Sequence, residues 1–261
     1  MNICFIGFGN MAKAIALGLQ AHWSDCHLFA AAPSLSIGNT DGIRTHPDNL
    51  AHLKTASVVI LAVKPEKMAA TLNEIKSAIP KHCLVISVAA GINTAFLEAH
   101  CPPKQAIVRA MPNIACQTGS GACALFANPC ASEEQRHLTE RLFTCSGIVT
   151  WVKEEKDIDS FTALSGSGLA YVFLFLEAMI QGASQLGIER DIARTFALQT
   201  MKGALDLAKK SPLEIKALRT QVTSPGGTTE AAIVQLQKLG FEEAICTAMQ
   251  AAAAKAKALG A

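Results

Sequence analysis

Stacking side chains, charge and paired thiols are all scarce in this chain, and each scarcity removes a class of function. One tyrosine and two tryptophans occur among 261 residues, and only 17% of the residues are charged. No stretch gathers Lys or Arg into a stripe, and the formal net charge is +2. Nucleic acid, which is bound through basic faces and stacked bases, is therefore not an expected partner. The nine cysteines include no C-x-x-C pair and are odd in number, which supports neither a disulfide framework nor a zinc site. No metal is expected, and the thiols read as the reduced, mostly buried cysteines of a cytoplasmic chain. A membrane span is not expected either. The longest strongly apolar run, Leu169 to Leu176, ends at Glu177, well short of the ~20 residues that cross a bilayer, and so predicts a buried helix. Strand character begins at residue 2, which leaves no room for a signal or transit segment and again predicts a cytoplasmic protein. Histidine is missing from everything after His137, and so from the whole helical part of the chain. A histidine general acid or a Ser-His-Asp arrangement is therefore not expected there.

What the chain does have is apolar surface. Hydrophobic residues make up 50%, enough for a large core, and they predict that some apolar surface is covered by another subunit. The length suits one large domain or two ordinary ones. The sequence opens on Asn2-Ile3-Cys4-Phe5-Ile6-Gly7-Phe8-Gly9-Asn10-Met11-Ala12, an apolar strand running into a glycine turn and a helix. This is G-x-G-x-x-A: Gly7 allows the tight turn, Gly9 lets backbone approach a pyrophosphate, and Ala12 lets helix and strand pack closely. Ala12, Ile15, Ala16 and Leu19 recur at helical spacing, so the turn has its strand before it and its helix after it. Asn10 and Met11 would offer amides to the phosphates at the positive end of the helix.

Strand and helix signals then alternate through residue 151, as a parallel α/β sheet requires. The second strand, His27 to Ala31, runs into Ala32-Pro33-Ser34 where NAD sites usually carry an acidic residue for the ribose hydroxyls. Without that carboxylate a 2′-phosphate meets no repulsion, so NADP is expected over NAD, with Ser34 at the adenosine end. Ser57 to Val63 is apolar throughout, as in a strand buried on both faces, and empties into Ala62-Val63-Lys64-Pro65. Cys83 to Val88 repeats the design and ends in Ala89-Ala90-Gly91. Ala106 to Arg109 is followed by Ala110-Met111-Pro112-Asn113. Three successive strand ends with small or turn-forming residues predict one continuous cofactor crevice. Gly121 to Phe126 reads as a further strand, Ser132 with Gln135 as a capping box, and Gly147 to Trp151 as the closing strand.

From Glu154 the pattern turns helical. Leu198, Met201, Leu205 and Ala208 share one face, as do Phe241, Ile245, Ala248 and Ala252, which is more apolar helix surface than this half buries by itself; dimerisation through it follows. Glu214 reads as completing a capping box with Ser211. Two breaks stand out: Ser165-Gly166-Ser167-Gly168 and Thr223-Ser224-Pro225-Gly226-Gly227-Thr228-Thr229. Each is expected to gather free amides and hydroxyls at a helix N-terminus, suited to a small carboxylate. Either alone is better explained as ordinary capping. Both together, attached to a dinucleotide sheet, point to a substrate site.

These residues resemble the pyrroline-5-carboxylate reductase family along nearly the whole chain. The likeness rests on Phe5-Ile6-Gly7-Phe8-Gly9-Asn10-Met11-Ala12, Ala62-Val63-Lys64-Pro65, Ser87-Val88-Ala89-Ala90-Gly91, Met111-Pro112-Asn113 and Leu164-Ser165-Gly166-Ser167-Gly168. Above all it rests on Val222-Thr223-Ser224-Pro225-Gly226-Gly227-Thr228-Thr229. The resemblance implies a Rossmann-type NADP-binding domain (1–151) followed by an all-helical dimerisation and substrate domain (152–261), interlocked with a partner so that each site borrows residues across the dimer. It implies reduction of 1-pyrroline-5-carboxylate to L-proline by NADPH, with NADH at lower preference, as the last step of proline biosynthesis. It places the substrate carboxylate on the amides of the Val222–Thr229 loop, the Thr229 hydroxyl near the ring nitrogen, and Ser165, Gly166 and Ser167 along the same pocket. Asn49 falls at the adenosine phosphate region, and Met111 and Asn113 near the nicotinamide. Two positions depart from the family pattern: Leu169 stands where Pro is usual, and Ile114-Ala115 where Thr-Pro is usual. They keep open a reductase of a related cyclic imine, or a catalytically weak dinucleotide-binding paralogue. A β-hydroxyacid dehydrogenase is disfavoured, because no Lys lies between Lys156 and Lys202 to serve as that family's catalytic lysine.

Overall fold

A computed structural model describes residues 1–23 and 25–259, and two compact units divide them. The first comprises Met1–Gly166 together with the chain from Ala251, and the second Ser167–Gln250. The first is built on nine strands: β1 (Asn2–Ile6), β2 (His27–Ala31), β3 (Gly38–Thr40), β4 (Ile43–His46), β5 (Val58–Leu61), β6 (Leu84–Ser87), β7 (Ala106–Met111), β8 (Gly121–Ala127) and β9 (Gly147–Trp151). They lie in the order β3-β4-β2-β1-β5-β6-β7-β8-β9. The chain steps from β1 outward to β2 on one side and to β5 on the other. The order therefore reverses at β1, and ligands of such sheets bind at that reversal, outside the carboxyl ends.

The apolar strands are buried on both faces, as their unbroken hydrophobic runs require. Ile3, Phe5, Val58, Ile60, Leu84 and Ile86 pack with Ala12, Ile15, Ala16 and Leu19 of helix α1 (Asn10–His22) and with Leu142 and Phe143. Cys4, Ile6, Val59, Leu61 and Val85 pack with Met68, Leu72 and Ile75 of α2 (Met68–Ile75) and with Leu97 of α3 (Thr94–His100). The four α1 residues expected on the core face are all 0–1% exposed. Ser132 and Gln135 do form the expected reciprocal capping box, at the start of α4 (Glu133–Thr144).

The sheet is mixed rather than wholly parallel. β3 and β4 form an antiparallel hairpin around Asp41 and Gly42, both at positive φ (51° and 79°). Asp-Gly is a strong hairpin signal, but the polar β3 shows no hydrophobic alternation to go with it. β8 runs antiparallel to β7 because the chain between Met111 and Gly121 is shorter than the dozen or so residues that a parallel crossover needs. α5 (Asp157–Phe161) and a π-helical turn (Thr162–Gly166) complete this unit's run from the sheet.

The second unit holds α6 (Gly168–Gln185), α7 (Arg190–Lys210), α8 (Ile215–Gln221) and α9 (Thr228–Lys238), and the first turns of α10 (Phe241–Leu259). The run Leu169 to Leu176 is not buried within the chain as expected. Leu176 is covered, but Phe173 is 58% and Leu174 67% exposed. The helical path Asp157–Gln185 is long and apolar enough, by length and composition, to cross a membrane, and little of it is buried. The helical periodicity is present, but α6 packs chiefly on α7, with Phe175 also meeting Phe241 of α10 at 6.1 Å between ring centroids, and helices paired in this way leave their outer faces without a second layer. The expected Ser211–Glu214 capping box does not form either. Ser211 Oγ accepts from the Leu213 amide, a local turn that leaves Glu214 itself at the N-cap of α8 without a side-chain cap bond.

Candidate functional site

Strand register sets up the cofactor edge. Ile6 pairs with Ala31 on one side and Leu61 on the other, Leu61 pairs with Ser87, and Ser87 with Arg109. The chain therefore leaves β1, β2, β5 and β6 along one line, with β7 running two residues further to Met111. The exits are the stretches expected from the sequence. Gly7 has φ +84°, and a Cβ there would lie 2.8 Å from the Ala62 carbonyl oxygen, so only glycine fits. Its amide donates to Ala31 O at 2.8 Å. Gly9 is the extended N-cap of α1 and has open space where a Cβ would stand. No side chain caps this helix and no acidic residue lies in its first turn. The amides of Asn10 and Met11 and the helix dipole together favour an anion there. Ala12 is fully buried and lets α1 lie close against the sheet.

Beyond β5 the chain runs through Ala62, Val63 and Lys64 to Pro65, which opens a 3-10 turn. It then passes the β6 exit, where Ala89 is buried and Gly91 turns at φ +78°. β2 finishes in buried Ala31 and is followed by buried Ala32, with Ser34 exposed. Asn49 is 6% exposed; its Nδ2 donates to Glu74 Oε2 at 3.0 Å, and its Oδ1 has no partner. The hairpin brings in side chains that the sequence reading missed. His46 pairs in register with Ala31, Arg44 stands 5.8 Å over the Phe29 ring, and His52 stacks on the same ring at 4.4 Å. Burial, then His46 and Arg44, hold the His52 pKa below its ordinary value. Asp48 is nearby, but its carboxylate accepts from the Leu50 amide. Basic side chains beside a strand end that lacks a carboxylate suit a second phosphate. The Asp41-Gly42 turn was the signal that would have found them.

Just past the exit of β7, Asn113 is 6% exposed and both ends of its side chain are engaged. Nδ2 donates to the Ser165 carbonyl at 3.0 Å, and Oδ1 accepts from the Ala122 amide at 3.3 Å. Four residues earlier, buried Arg109 pairs with Asp159 at 2.8 Å and Glu155 at 3.4 Å. Glu155 also accepts from the amide and hydroxyl of Thr94 at 2.7 and 2.6 Å. No local pattern announces this network, because its members are about fifty residues apart. Removing one partner leaves a buried charge, a loss of several kcal/mol.

Ser165 to Gly168 does not form the expected loop before a helix. Ser165 and Gly166 belong to the π-helical turn, Ser167 has right-handed helical backbone, and α6 follows at Gly168. The helical path continues because the Ser165 hydroxyl donates back to the Phe161 carbonyl at 2.9 Å, so no free helix start exists there. Gly166 lies against the Met111 methyl, which is 2.9 Å from where a Cβ would stand. In the second unit the expected loop is present. Val222 ends α8, Thr223 Oγ1 donates to Arg219 O at 2.7 Å, Gly226 turns at φ +71°, and Gly227 is the extended N-cap of α9 without a side-chain cap bond. The Gly226 amide is already engaged, by Glu230 Oε2 at 2.7 Å. Thr228 and Thr229 sit exposed in the first turn of α9. Among the described residues no group of three or more His, Cys, Asp or Glu could hold a metal. All nine thiols are free, and burial pushes Cys4 and Cys83 up to about 12 and Cys101 to about 11.

Residues 155–259 match the family model described as pyrroline-5-carboxylate reductase dimerisation, and residues 2–91 that of coenzyme F420-dependent NADP oxidoreductase. A pyrroline-5-carboxylate reductase of Pseudomonas aeruginosa is 38% identical over 98% of this chain and 96% of its own. The chain belongs to the pyrroline-5-carboxylate reductase family. The structure of the Plasmodium falciparum pyrroline carboxylate reductase with NADP bound superposes with a TM-score of 0.93 at 32% identity, over 100% of this chain and 98% of that one. A reductase structure from Coxiella burnetii superposes at 0.88 with 38% identity, over 100% and 98%. The family's likeness thus extends across the glycine turn at the start and the Thr223–Thr229 loop near the end.

Proposed function

We infer that this protein reduces 1-pyrroline-5-carboxylate to L-proline with NADPH, the last step of proline biosynthesis. The observation that carries this is the near-full-length likeness to reductases of that substrate, with both the glycine crevice and the glycine loop intact. The residues present fit the cofactor. The α1 amides have no side-chain cap, Gly9 faces open space, and buried Asn49 carries an unpartnered oxygen. When bound, NADPH supplies the hydride that adds to the imine carbon.

The chain's own residues bind and orient. Gly7, Gly9, Asn10, Met11 and Ala12 take the pyrophosphate. Ser34 and Asn49, beside His46, take the adenosine end and its second phosphate. Ala62, Val63, Lys64 and Pro65, with Ala89, Ala90 and Gly91, wall the crevice, and Met111 and the backbone at Asn113 stand at the nicotinamide end. The amides of Thr228 and Thr229 hold the substrate carboxylate, with Val222, Thr223, Gly226 and Gly227 shaping the loop, the Gly227 amide donating to the Ser224 carbonyl at 3.0 Å, and Ser165, Gly166 and Ser167 lining the pocket. The Thr229 hydroxyl orients the ring nitrogen, which receives the C=N electron pair and, in the iminium form of the substrate, already carries its proton. An iminium already carries the charge that hydride neutralises, so no histidine is required.

Functionally, residues 1–151 form the NADP domain and 152–261 the dimerisation and substrate domain. The exposed apolar helix faces are covered by a second copy, so the enzyme is a homo-oligomer whose site borrows residues across the interface. Nine free thiols support a cytoplasmic location. NADPH oxidation on addition of pyrroline-5-carboxylate tests the reading, and absence of turnover with both NADPH and NADH overturns it.

A further inference from the structure

We propose that Asn113 is a positioning residue for imine reduction: its side-chain amide holds the π-helical turn Thr162–Gly166 at a set distance from the exit of β7. The proposal rests on the reductase reading above. Both Asn113 contacts are unambiguous in direction, since the Ala122 amide can only donate and the Ser165 carbonyl can only accept. The planar side-chain amide therefore ties β8, through Ala122, to the π turn, through Ser165, which is 52 residues from Asn113 in sequence, while the Asn113 backbone carbonyl accepts from Cys116 N at 3.1 Å in the 3-10 turn Ile114–Thr118 that follows it.

The turn needs such a tie. A π-helical turn carries one residue more than the α-helical repeat and takes its carbonyls out of the ordinary ladder, and the carbonyl that Asn113 meets lies within it. The hydroxyls of Thr162 and Ser165 point back along the helix, to Ile158 O and Phe161 O, both at 2.9 Å, so neither fixes the turn to the sheet. Asn113 does so, and the Met111 methyl against Gly166 supplies the second point of contact. Met111 and Gly166 are assigned above to the nicotinamide end and to the imine pocket. Their separation is the quantity Asn113 sets, and misplacement of about 1 Å is enough to cost a large factor in rate. The Arg109 ion pairs with Glu155 and Asp159 hold the preceding α5 independently, so variants at 113 retain the fold.

The test uses the full-length enzyme and two variants. Asn113→Ala is expected to lose about ten- to hundredfold in kcat/KM for the imine, as for a buried carbonyl left without its donor, while NADPH affinity measured without substrate stays within about twofold. Amide exchange across residues 158–170, read by mass spectrometry, is expected to speed up in the same variant. Asn113→Asp separates positioning from packing. Ionised, it only accepts and faces the Ser165 carbonyl with an oxygen; protonated, its carbonyl accepts from Ala122 and its hydroxyl donates to Ser165. Its deficit relative to wild type should therefore shrink as pH falls.

The other titratable groups around this position do not move that ratio. Burial pushes the Cys116 and Cys123 thiols up, so they stay neutral. Arg109, Glu155 and Asp159 are common to wild type and variant. A pH-independent Asn113→Asp deficit, or unchanged exchange at 158–170 in Asn113→Ala, overturns the proposal. A wild type that turns over no imine overturns the reductase reading instead, and the exchange measurement still decides whether the tie exists.

Discussion

The two units bury their apolar residues in opposite ways. In the first, Ile3, Phe5, Ile6, Ile60, Leu61, Leu72 and Leu84 are at most 1% exposed, and each such side chain contributes about 1.5–3 kcal/mol. In the second, Phe196 is 69%, Leu174 67%, Ile215 67% and Leu207 63% exposed. Both regions carry apolar residues at regular spacing, but a sheet with helices on both faces closes a core within one chain, whereas paired amphipathic helices do not. The first unit is thus a finished scaffold for a cofactor, and the second is half of an interface. Conditions that dissociate copies should leave the cofactor end folded and remove catalysis.

The largest effect is expected from a charge on the unfinished face. Leu174→Asp should reduce the mass seen in sedimentation to that of one 27.5 kDa chain and lower turnover by about a hundredfold or more, since an unpaired charge is costly to bury. Retention of both oligomer and rate would show that α6 is not covered by a second copy. Next, Ile60→Ala removes side-chain volume from the finished core and should cost about 2–5 kcal/mol in denaturant unfolding, with oligomer mass unchanged. If the mass fell instead, the division between the units would be wrong.

Thr229→Ala should lower kcat about tenfold or more, as expected when a group that orients a reacting atom is lost, while NADPH binding stays within about twofold. Unchanged turnover removes that role. Ser132→Ala breaks a capping box far from either ligand and should cost about 1 kcal/mol with no change in rate. The smallest effect is the pH dependence of His52. Its folded pKa is lowered from 6.5, so the unfolded chain takes up the proton first as pH falls, and stability drops from about pH 6.5 downward until the folded form is also protonated. His52→Gln should flatten that part of the melting profile, and an unaltered slope would assign it to other groups.

Legibility followed the range of the interaction. The Gly7–Gly9 turn, the α1 face and the Ser132–Gln135 cap depend on residues within a few positions of one another, and their spacing announces them. The β3–β4 hairpin carried an Asp41-Gly42 signal that polar strands concealed. Ser165-Gly166-Ser167-Gly168 read as a loop because Ser and Gly break helices on average, yet here the Ser165 hydroxyl bonds within the helix and the path continues. The reversal of β8, the Arg109 ion pairs and the Asn113 tie depend on partners tens of residues away, and no local pattern encodes them.

By itself, then, the sequence determined a dinucleotide turn, the missing carboxylate after β2, the absence of histidine from the helical part and the glycine loop before α9, because each is a property of consecutive residues. Only the tertiary structure decided that His46 stands beside the end of β2 and Arg44 beside Phe29 within it, that a π turn replaces the first expected loop, and that Asn113 fastens it to the sheet. Those outcomes depend on which distant backbones come within hydrogen-bond distance, and packing the whole sheet is what settles that.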